Sequence, residues 1–458
     1  MNRRVFGFSL ICGFILLHFC RMTFAGVITP MPSFTDKDRV LILAPHPDDE
    51  GIATGGVIQQ ALKSGAKVKV VLLTNGENNE LSFIVYKKRP VLRPKELLAM
   101  GEMRFGETLN AAEVLGLSPG DVVSLGYPDF GTMDIFTEYW GPVKRPFRGM
   151  LSRQLYVPYE SARSFGSPYV GESILGELRD ILLDFKPTKV FVSHPADVNR
   201  DHRALYLFTK VALWDLEGQI SPPELYPYIV HVVGWPTPRG YFPALALNVP
   251  PELVKSDIQW QTDPLEEGEV LKKHDAIMKY VSQVKCAPRY LVTFDRSNEL
   301  FGDYPSVPIV RQMTSLPAWQ RVGTGDDGGS TKVKASARQI ASVSYARQGN
   351  NFLVRMVLKN AFDKELGVSI FLMGYRKDVP FAQMPKIRLI VGIDGFHIKD
   401  GRKNVPSKEV QYVVKDRELV FTLPLSLLGS PERILSTAKT SLYDLTLDET
   451  AWRVLLLK

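Results

Sequence analysis

The sequence is poor in cysteine, which excludes a fold held together by disulfides. Of three cysteines in 458 residues, Cys12 and Cys20 lie within the first 20, which leaves Cys286. A single thiol cannot form an internal disulfide, and we expect Cys286 to be packed in the fold. With 45% hydrophobic and 23% charged residues, the chain has the composition of a soluble protein with a hydrophobic core.

Concentrated positive charge is also missing. The formal net charge is +7 and the isoelectric point is about 9.0. The Lys and Arg residues are scattered along the chain, whereas a nucleic-acid binder collects them in a stripe or an arm. We therefore expect no nucleic-acid partner. The sequence contains no Walker-type phosphate loop, internal repeat or low-complexity tract.

The first 25 residues have the pattern of a secretory signal. Arg3 and Arg4 precede an apolar run of 15 residues, 5–19, and Thr23-Phe24-Ala25 forms a small-x-small end. We predict cleavage after Ala25 and export to the periplasm, the cell envelope or the medium. An uncleaved membrane anchor is the alternative, although the run is shorter than the roughly 20 residues of a membrane span.

The remaining chain divides into two domains. Residues 26–320 alternate apolar strands with amphipathic helices, which predicts a Rossmann-like α/β domain with a mostly parallel sheet and helices on both faces. The polar stretch GTGDDGGST indicates a linker over 321–335. Residues 336–458 contain short β runs broken by turns, which predicts a C-terminal all-β sandwich.

Two chemically rich motifs follow apolar strands of the first domain. VLILAPHPDDEGIATGG supplies His46, Asp48 and Asp49, while VFVSHPADVNRDHRALYLF supplies a second His/Asp set. One such motif alone has an ordinary explanation, a turn with an aspartate capping the next helix. Two of them after parallel strands should meet at one sheet edge, where ligands bind in open α/β folds. The residues of the second set are His194, Asp197, Asp201 and His202.

This combination of side chains suits a catalytic zinc ion. Such an ion has three protein ligands and an open position for water, which His46, Asp49 and one remote histidine would satisfy. Zinc lowers the pKa of bound water to roughly 7, and the free carboxylate of Asp48 is placed to take a proton. Imidazole and carboxylate also suit iron(II), so Zn²⁺ is the expected cofactor and Fe²⁺ the alternative.

The paired motifs PHPDDE and HPADVNRDH resemble those of the PIG-L/LmbE-like zinc de-N-acetylases. The resemblance covers about residues 38–300 and implies removal of acetyl from N-acetylglucosamine-type amino sugars. It implies that His46, Asp49 and His202 bind zinc and that Asp48 is the general base. It also matches Arg104 and Glu107 to the family's Arg-x-x-Glu and Asp129 to its sugar-contacting aspartate. We therefore expect Arg104 and Asp129 to bind the substrate, with Glu107, Asp201 and His194 in support.

One position departs from the family pattern. Many relatives have a histidine three residues before the last zinc ligand, where this chain has Asn199. An amide can donate a hydrogen bond to an oxyanion but cannot deliver a proton. We therefore expect Asn199 to act on the oxyanion, and Asp48, His194 or His231 to protonate the leaving amine.

The sequence predicts an exported hydrolase whose partner is an acetylated amino sugar or glycoconjugate. The C-terminal sandwich would contact a glycan or the cell envelope. Two alternatives remain at this point: an amidase acting on another amide conjugate, and a glycan-binding protein without catalysis.

Overall fold

The computed structural model of the chain describes residues 28–78, 93–141, 145–313, 316–323, 339–406, 408–443 and 445–458. The predicted signal segment and most of the predicted linker lie outside these ranges. Across the described ranges, every helix is too short or too polar to cross a membrane.

A mixed sheet forms the first domain. Its strands are β1 (Thr29–Pro30), β2 (Arg39–Ala44), β3 (Lys67–Thr74), β4 (Val122–Tyr127), β5 (Lys189–Ser193), β6 (Glu224–Tyr228), β7 (Gln259–Pro264) and β8 (Asn298–Asp303). Their spatial order is β1-β7-β8-β6-β5-β2-β3-β4. The five strands from β6 to β4 are parallel, and β8 is antiparallel to both neighbours. The predicted mostly parallel sheet is confirmed.

Helices cover both faces of this sheet, as the sequence predicts. They are α1 (Asp49–Lys63), α2 (Pro94–Leu115), α3 (Thr132–Glu138), α4 (Gly171–Phe185), α5 (Arg200–Asp215), α6 (Glu267–Ile277), α7 (Val281–Cys286) and α8 (Pro288–Leu291). Along β2, Val40 and Ile42 pack into one hydrophobic core, while Leu41 and Leu43 pack into the other. A strand that is buried on both faces needs an unbroken apolar run, which explains the sequence RVLILA.

The position of β2 in the sheet determines where a ligand can bind. From β2 the chain continues to β3 and β4 on one side, and later returns to place β5 and β6 on the other side. Such a reversal opens a crevice beyond the carboxyl ends of the two central strands. The residues that follow β2 and β5 are those of the two motifs.

The C-terminal region is rich in strands that form two sheets, as predicted. The strands are β9 (Val307–Ile309), β10 (Arg311–Gln312), β11 (Gln320–Gly323), β12 (Ile340–Gln348), β13 (Asn351–Leu358), β14 (Leu366–Tyr375), β15 (Lys386–Gly392), β16 (Gly395–Asp400), β17 (Lys403–Val405), β18 (Gln411–Lys415), β19 (Glu418–Pro424), β20 (Arg433–Leu442), β21 (Leu445–Glu449) and β22 (Arg453–Leu457). One sheet has the order β10-β12-β13-β19-β18 with β11 beside β12, and the other has β17-β16-β15-β14-β20-β22-β9 with β21 beside β20. Apolar residues from both sheets share one core.

The chain enters these sheets before the predicted boundary at residue 320. Strand β9 pairs with β22, and β10 and β11 both pair with β12. These strands are only two to four residues long, and β10 and β9 are separated by a single residue. Such short segments lack the alternating pattern from which a strand is predicted, so the sequence did not assign them to the sandwich.

The two domains share a hydrophobic core. Phe136 and Trp140 of the first domain contact Phe381 of the second, with ring centroids 5.8 and 4.9 Å apart. Trp452 lies 6.3 Å from Phe136, and its backbone N–H donates to the carbonyl of Pro195 at 3.3 Å. Because the domains bury aromatic surface against each other, we expect them to unfold together.

Truncation of Phe381 should test this coupling. Its side chain is 1% exposed, so Phe381→Ala should cost about 3–5 kcal/mol through lost burial and a cavity. Calorimetry should show one unfolding transition that moves to lower temperature. Tyr443→Ala, at a side chain that is 79% exposed, is the control and should not move it. Two separate transitions, with only one shifted by Phe381→Ala, would contradict a shared core.

Candidate active site

Polar side chains follow five neighbouring parallel strands where each strand ends. They come from the loops after β2, β3, β4, β5 and β6, which all open on one edge of the sheet. The residues are His46, Asp48 and Asp49 after β2, Glu77 and Asn78 after β3, Asp129 after β4, Asp197 and Asn199 after β5, and His231 after β6.

Three side chains converge at the centre of this edge. The Asp49 Oδ2 atom lies 3.1 Å from His46 Nδ1 and 3.0 Å from His202 Nε2. One potential ligand atom from each residue falls within 4.8 Å of the others, and all three residues are buried. The structure thus brings together the three residues that the family resemblance assigns to zinc.

The chemistry of this cluster fits a cation. Asp49 Oδ1 is buried and lacks a hydrogen-bond partner among the described residues, an arrangement that a folded protein rarely leaves unsatisfied. Burial opposes ionisation of Asp49, but the charges of His202 and His46 outweigh it and hold the pKa of Asp49 well below its usual range. Burial likewise opposes protonation of His202, yet Asp197 and Asp49 raise the pKa of His202 to about 9. The cluster therefore stabilises positive charge at its centre.

Asp197 orients the histidines on one side of the cluster. Its carboxylate lies 3.2 Å from His202 Nδ1 and 3.3 Å from His231 Nδ1. It also accepts backbone N–H bonds from Val230, His231 and Asn199 at 2.8–3.0 Å. A carboxylate behind a metal-binding histidine fixes the ring and its tautomer, so Asp197 positions His202.

Two further carboxylates face the opposite side of His46. Asp129 Oδ1 lies 3.2 Å and Asp201 Oδ2 lies 3.4 Å from His46 Nε2. Thr132 anchors Asp201 through its backbone N–H and its hydroxyl, at 3.0 and 2.5 Å. The structure therefore places Asp129, which the resemblance assigns to the substrate, against a candidate metal ligand as well.

Asp48 is held in an unusual backbone conformation at the mouth of the site. Its φ is 115°, a left-handed value that costs a residue with a Cβ atom. Burial raises the pKa of Asp48 to about 8, with Asp49 and Glu50 adding to the effect and Arg104 opposing it. The Arg104 Nη2 atom lies 3.6 Å from the Asp48 carboxylate.

Arg104 joins the loops after β2 and β3. Its guanidinium donates to the carbonyls of Gly76 and Pro47 at 2.6 and 2.8 Å. A Cβ atom at Gly76 would lie 2.0 Å from this guanidinium, and Gly76 has a φ of 65°. Arg104 is 3% exposed and lines the cavity, so it is a buried bridge between two site loops.

The remaining predicted residues are Glu107, His194 and Asn199, and each has contacts within the fold. Glu107 accepts hydrogen bonds from the backbone and hydroxyl of Ser282, at 2.8 and 2.7 Å. His194 is fully buried, stacks on Trp260 at 5.8 Å, and has its pKa lowered by burial to about 3. Because His194 does not line the cavity, it cannot protonate a substrate. Asn199 caps α5 by accepting from the Asp201 N–H at 2.9 Å.

A cavity of about 610 Å³ opens over the cluster. Its polar lining comprises His46, Asp48, Asp49, Asn78, Arg104, Asp129, Asn199, His231 and Gln283. Its remaining lining is largely apolar and includes Phe130, Met150 and Leu291. The Asn199 cap uses Oδ1, so the amide nitrogen remains available as a donor.

Sequence reasoning assigned no role to three residues that shape the site. Glu77 accepts from the Asp129 N–H at 3.2 Å, Thr132 anchors Asp201, and Asp197 supports two histidines. Glu77 follows β3 in TNGE, so the same strand-end argument used for the two motifs would have found it. Thr132 has no such signal, because its role depends on how α3 packs.

Comparison with known proteins identifies the segment that carries both motifs. Residues 41–213 match the family described as PIG-L: GlcNAc-PI de-N-acetylase. The family predicted from PHPDDE and HPADVNRDH is therefore confirmed for this segment.

Named relatives match part of the chain. A 1D-myo-inositol 2-acetamido-2-deoxy-alpha-D-glucopyranoside deacetylase from Mycolicibacterium smegmatis is 27% identical over 46% of this chain and 61% of its own length. A diacetylchitobiose deacetylase from Thermococcus kodakarensis is 31% identical over 28% of this chain and 45% of its own. The chain thus spans less than two thirds of these relatives.

Among solved structures, the N,N'-diacetylchitobiose deacetylase from Pyrococcus horikoshii aligns with 56% of this chain and 76% of its own. Its sequence identity is 18% and its TM-score is 0.34. The A40926 pseudoaglycone deacetylase Dbv21 aligns with 58% of this chain and 96% of its own, at 15% identity and a TM-score of 0.36.

Substitution of the three clustered residues should abolish metal binding. His46→Ala, Asp49→Ala and His202→Ala should each reduce bound zinc from about one ion per chain to a small fraction, since each removes one of three ligands. Elemental analysis of the purified protein measures this. The control His194→Gln removes a buried histidine outside the cluster and should keep the ion. Full zinc occupancy in all three variants would place the metal elsewhere.

Proposed function

We propose that this chain is an exported, metal-dependent hydrolase that removes acetyl groups from N-acetylglucosamine-type amino sugars. The family match over residues 41–213 and the deacetylases among its relatives support the reaction type. The signal-like pattern of residues 1–25 supports export. The observation that carries the proposal is the meeting of His46, Asp49 and His202 beneath a cavity that Asp48 also lines.

His46, Asp49 and His202 would hold the metal ion. Two imidazoles and one carboxylate form a ligand set typical of catalytic zinc, and iron(II) is the alternative. When bound, such an ion acts as a Lewis acid and makes water acidic enough to supply hydroxide near neutral pH. Asp197 behind His202 and Asp201 behind His46 would keep the two rings oriented.

Asp48 is the general base of the proposed reaction. It lines the cavity beside the ligand cluster, and its carboxylate would take a proton from the attacking water. The water oxygen bonds to the acetyl carbon, and the resulting tetrahedral species then breaks its bond to the sugar nitrogen. Arg104 steadies Asp48 during this step, because its guanidinium lies 3.6 Å from the carboxylate and is itself anchored to two carbonyls.

Two roles that a single histidine has in many relatives, toward the oxyanion and the departing amine, are divided here between Asn199 and His231. The amide nitrogen of Asn199 would donate a hydrogen bond to the oxyanion of the tetrahedral species. His231 lines the same cavity, with Asp197 behind its Nδ1 atom and Tyr290 stacked on its ring at 6.0 Å. His231 would deliver a proton to the departing amine, and acetate and the free amino sugar are the products.

Incubation with acetylated amino sugars should test the reaction. We expect mass spectrometry to show loss of one acetyl group from N,N'-diacetylchitobiose and release of acetate. Asp48→Asn should keep its zinc and lower kcat by at least a hundredfold, because an amide cannot accept the proton. Equal and negligible turnover by the wild type and Asp48→Asn on a panel of acetylated glycans would refute deacetylation.

Substitution of His231 should separate proton delivery from substrate binding. His231→Gln keeps a polar side chain but removes the acid, so kcat should fall by about 10²–10⁴-fold with little change in KM. Substrates with a more acidic leaving amine should be less affected, since they need less protonation. Asn199→Ala should instead lower the rate on all substrates alike. A uniform loss for His231→Gln across these substrates would argue against a role as acid.

A further inference from the structure

A second cleft lies between the two domains, away from the candidate active site. Its volume is about 800 Å³, compared with about 610 Å³ for the active-site cavity. The first domain contributes Glu138, Trp140 and Arg145. The residues that the sandwich contributes include Lys386, Asp400, Arg402 and Lys403. The cleft is large enough for several sugar residues.

The charge of its walls is mostly positive. The buried Lys386 adds little to this charge, because burial lowers its pKa to about 7 and its amino group already donates to the Met384 carbonyl at 2.6 Å. Arg145, Arg402 and Lys403 are exposed around it. Of the two acidic residues, Asp400 already accepts the Lys386 backbone N–H at 2.7 Å. The cleft therefore offers more cationic than anionic groups to a ligand.

The exposed cations of the cleft differ from other arginines at the domain boundary. Arg203 pairs with Glu449 at 3.1 Å and Arg433 pairs with Glu217 at 2.7 Å. In contrast, Arg145, Arg402 and Lys403 form no ion pair with any carboxylate of the described residues. The Arg402 guanidinium instead lies over the Tyr139 ring, 4.8 Å from its centroid. A guanidinium group without an ion-pair partner suits a planar carboxylate.

Helix α3 connects this cleft with the active site. At its start, Thr132 anchors Asp201 beside His46, and at its end Glu138 lines the cleft. Seven residues at 1.5 Å each make the helix about 10 Å long. One rigid element therefore borders both sites.

We propose that this cleft binds an acidic oligosaccharide through carboxylate groups carried on its sugar residues. The inference that the ligand is a sugar rests on the proposed function, whereas the inference that it is negatively charged rests on the cleft alone. The sandwich would thus contribute one wall of a specific subsite for the charged part of a glycan.

Binding to the full-length protein should be measured by calorimetry with two hexasaccharides. One alternates glucuronate with N-acetylglucosamine, and the other is neutral chitohexaose. We expect the acidic ligand to bind at least tenfold more tightly at low salt and to lose most of this advantage at 0.5 M salt, because the charges are exposed. Equal affinity for the two ligands would overturn the proposal.

Variants on each wall should localise the binding. Arg402→Ala with Lys403→Ala, and separately Arg145→Ala, should each weaken binding of the acidic ligand about tenfold or more, without lowering the unfolding temperature. Lys415→Ala with Arg417→Ala removes two exposed charges from a turn of the other sandwich sheet and should change nothing. Unchanged binding in both cleft variants, or an equal loss in the control, would refute the assignment.

Turnover distinguishes this inference from the proposed function. The cleft variants should hydrolyse N,N'-diacetylchitobiose at the wild-type rate, because their substitutions lie outside the catalytic cluster. If no protein hydrolyses any acetylated sugar but the acidic ligand still binds in the cleft, the deacetylase proposal fails and the cleft assignment stands.

Discussion

The structure depends on the burial of one carboxylate, Asp49, between two histidines from distant segments of the chain. A buried charge is tolerated only when it is paired and its hydrogen bonds are satisfied. Asp49 meets this condition only if the loop after β2 and the first turn of α5 lie against each other. The sheet supplies that arrangement, because β2 and β5 are parallel neighbours and their carboxyl ends open on the same edge. The chemical requirement and the strand order therefore reinforce each other.

The second domain contacts the segment that follows β5, which carries the second motif. Trp452 donates its backbone N–H to Pro195, and Glu449 pairs with Arg203, the residue that follows His202. Arg203 in turn donates through Nε to the backbone carbonyl of Asp197. The sandwich thus supports the segment that carries the second histidine, besides packing its aromatic residues against α3. A site built on five loops gains rigidity from such external contacts.

Much of this arrangement could be predicted from the sequence, because its signals are local and redundant. Unbroken apolar runs predict buried parallel strands, and a His/Asp set after two of them predicts a shared edge. This reasoning identified His46, Asp49 and the neighbouring Asp48, and it required one remote histidine, which the family resemblance assigned to His202. It did not predict that Asp197 supports two histidines or that Thr132 anchors Asp201. Those roles arise from tertiary packing between elements, for which no periodicity or spacing exists. The strands β9 to β11 were not predicted for the same reason. Each is stabilised by its partner strands and is too short to show an alternating pattern.

The backbone conformation of Asp48 affects which residues can occupy this position during evolution. A residue with a Cβ atom at a φ of 115° carries a strain of order 1–3 kcal/mol, which glycine would not carry. Replacing this aspartate by glycine would therefore relieve the backbone strain but remove the proposed proton acceptor. Folding stability favours glycine at this position, whereas the proposed reaction requires aspartate, so under that proposal selection for turnover maintains the carboxylate. A homologous chain with glycine here and an intact ion-binding triad would be the expected relic of an enzyme released from that selection.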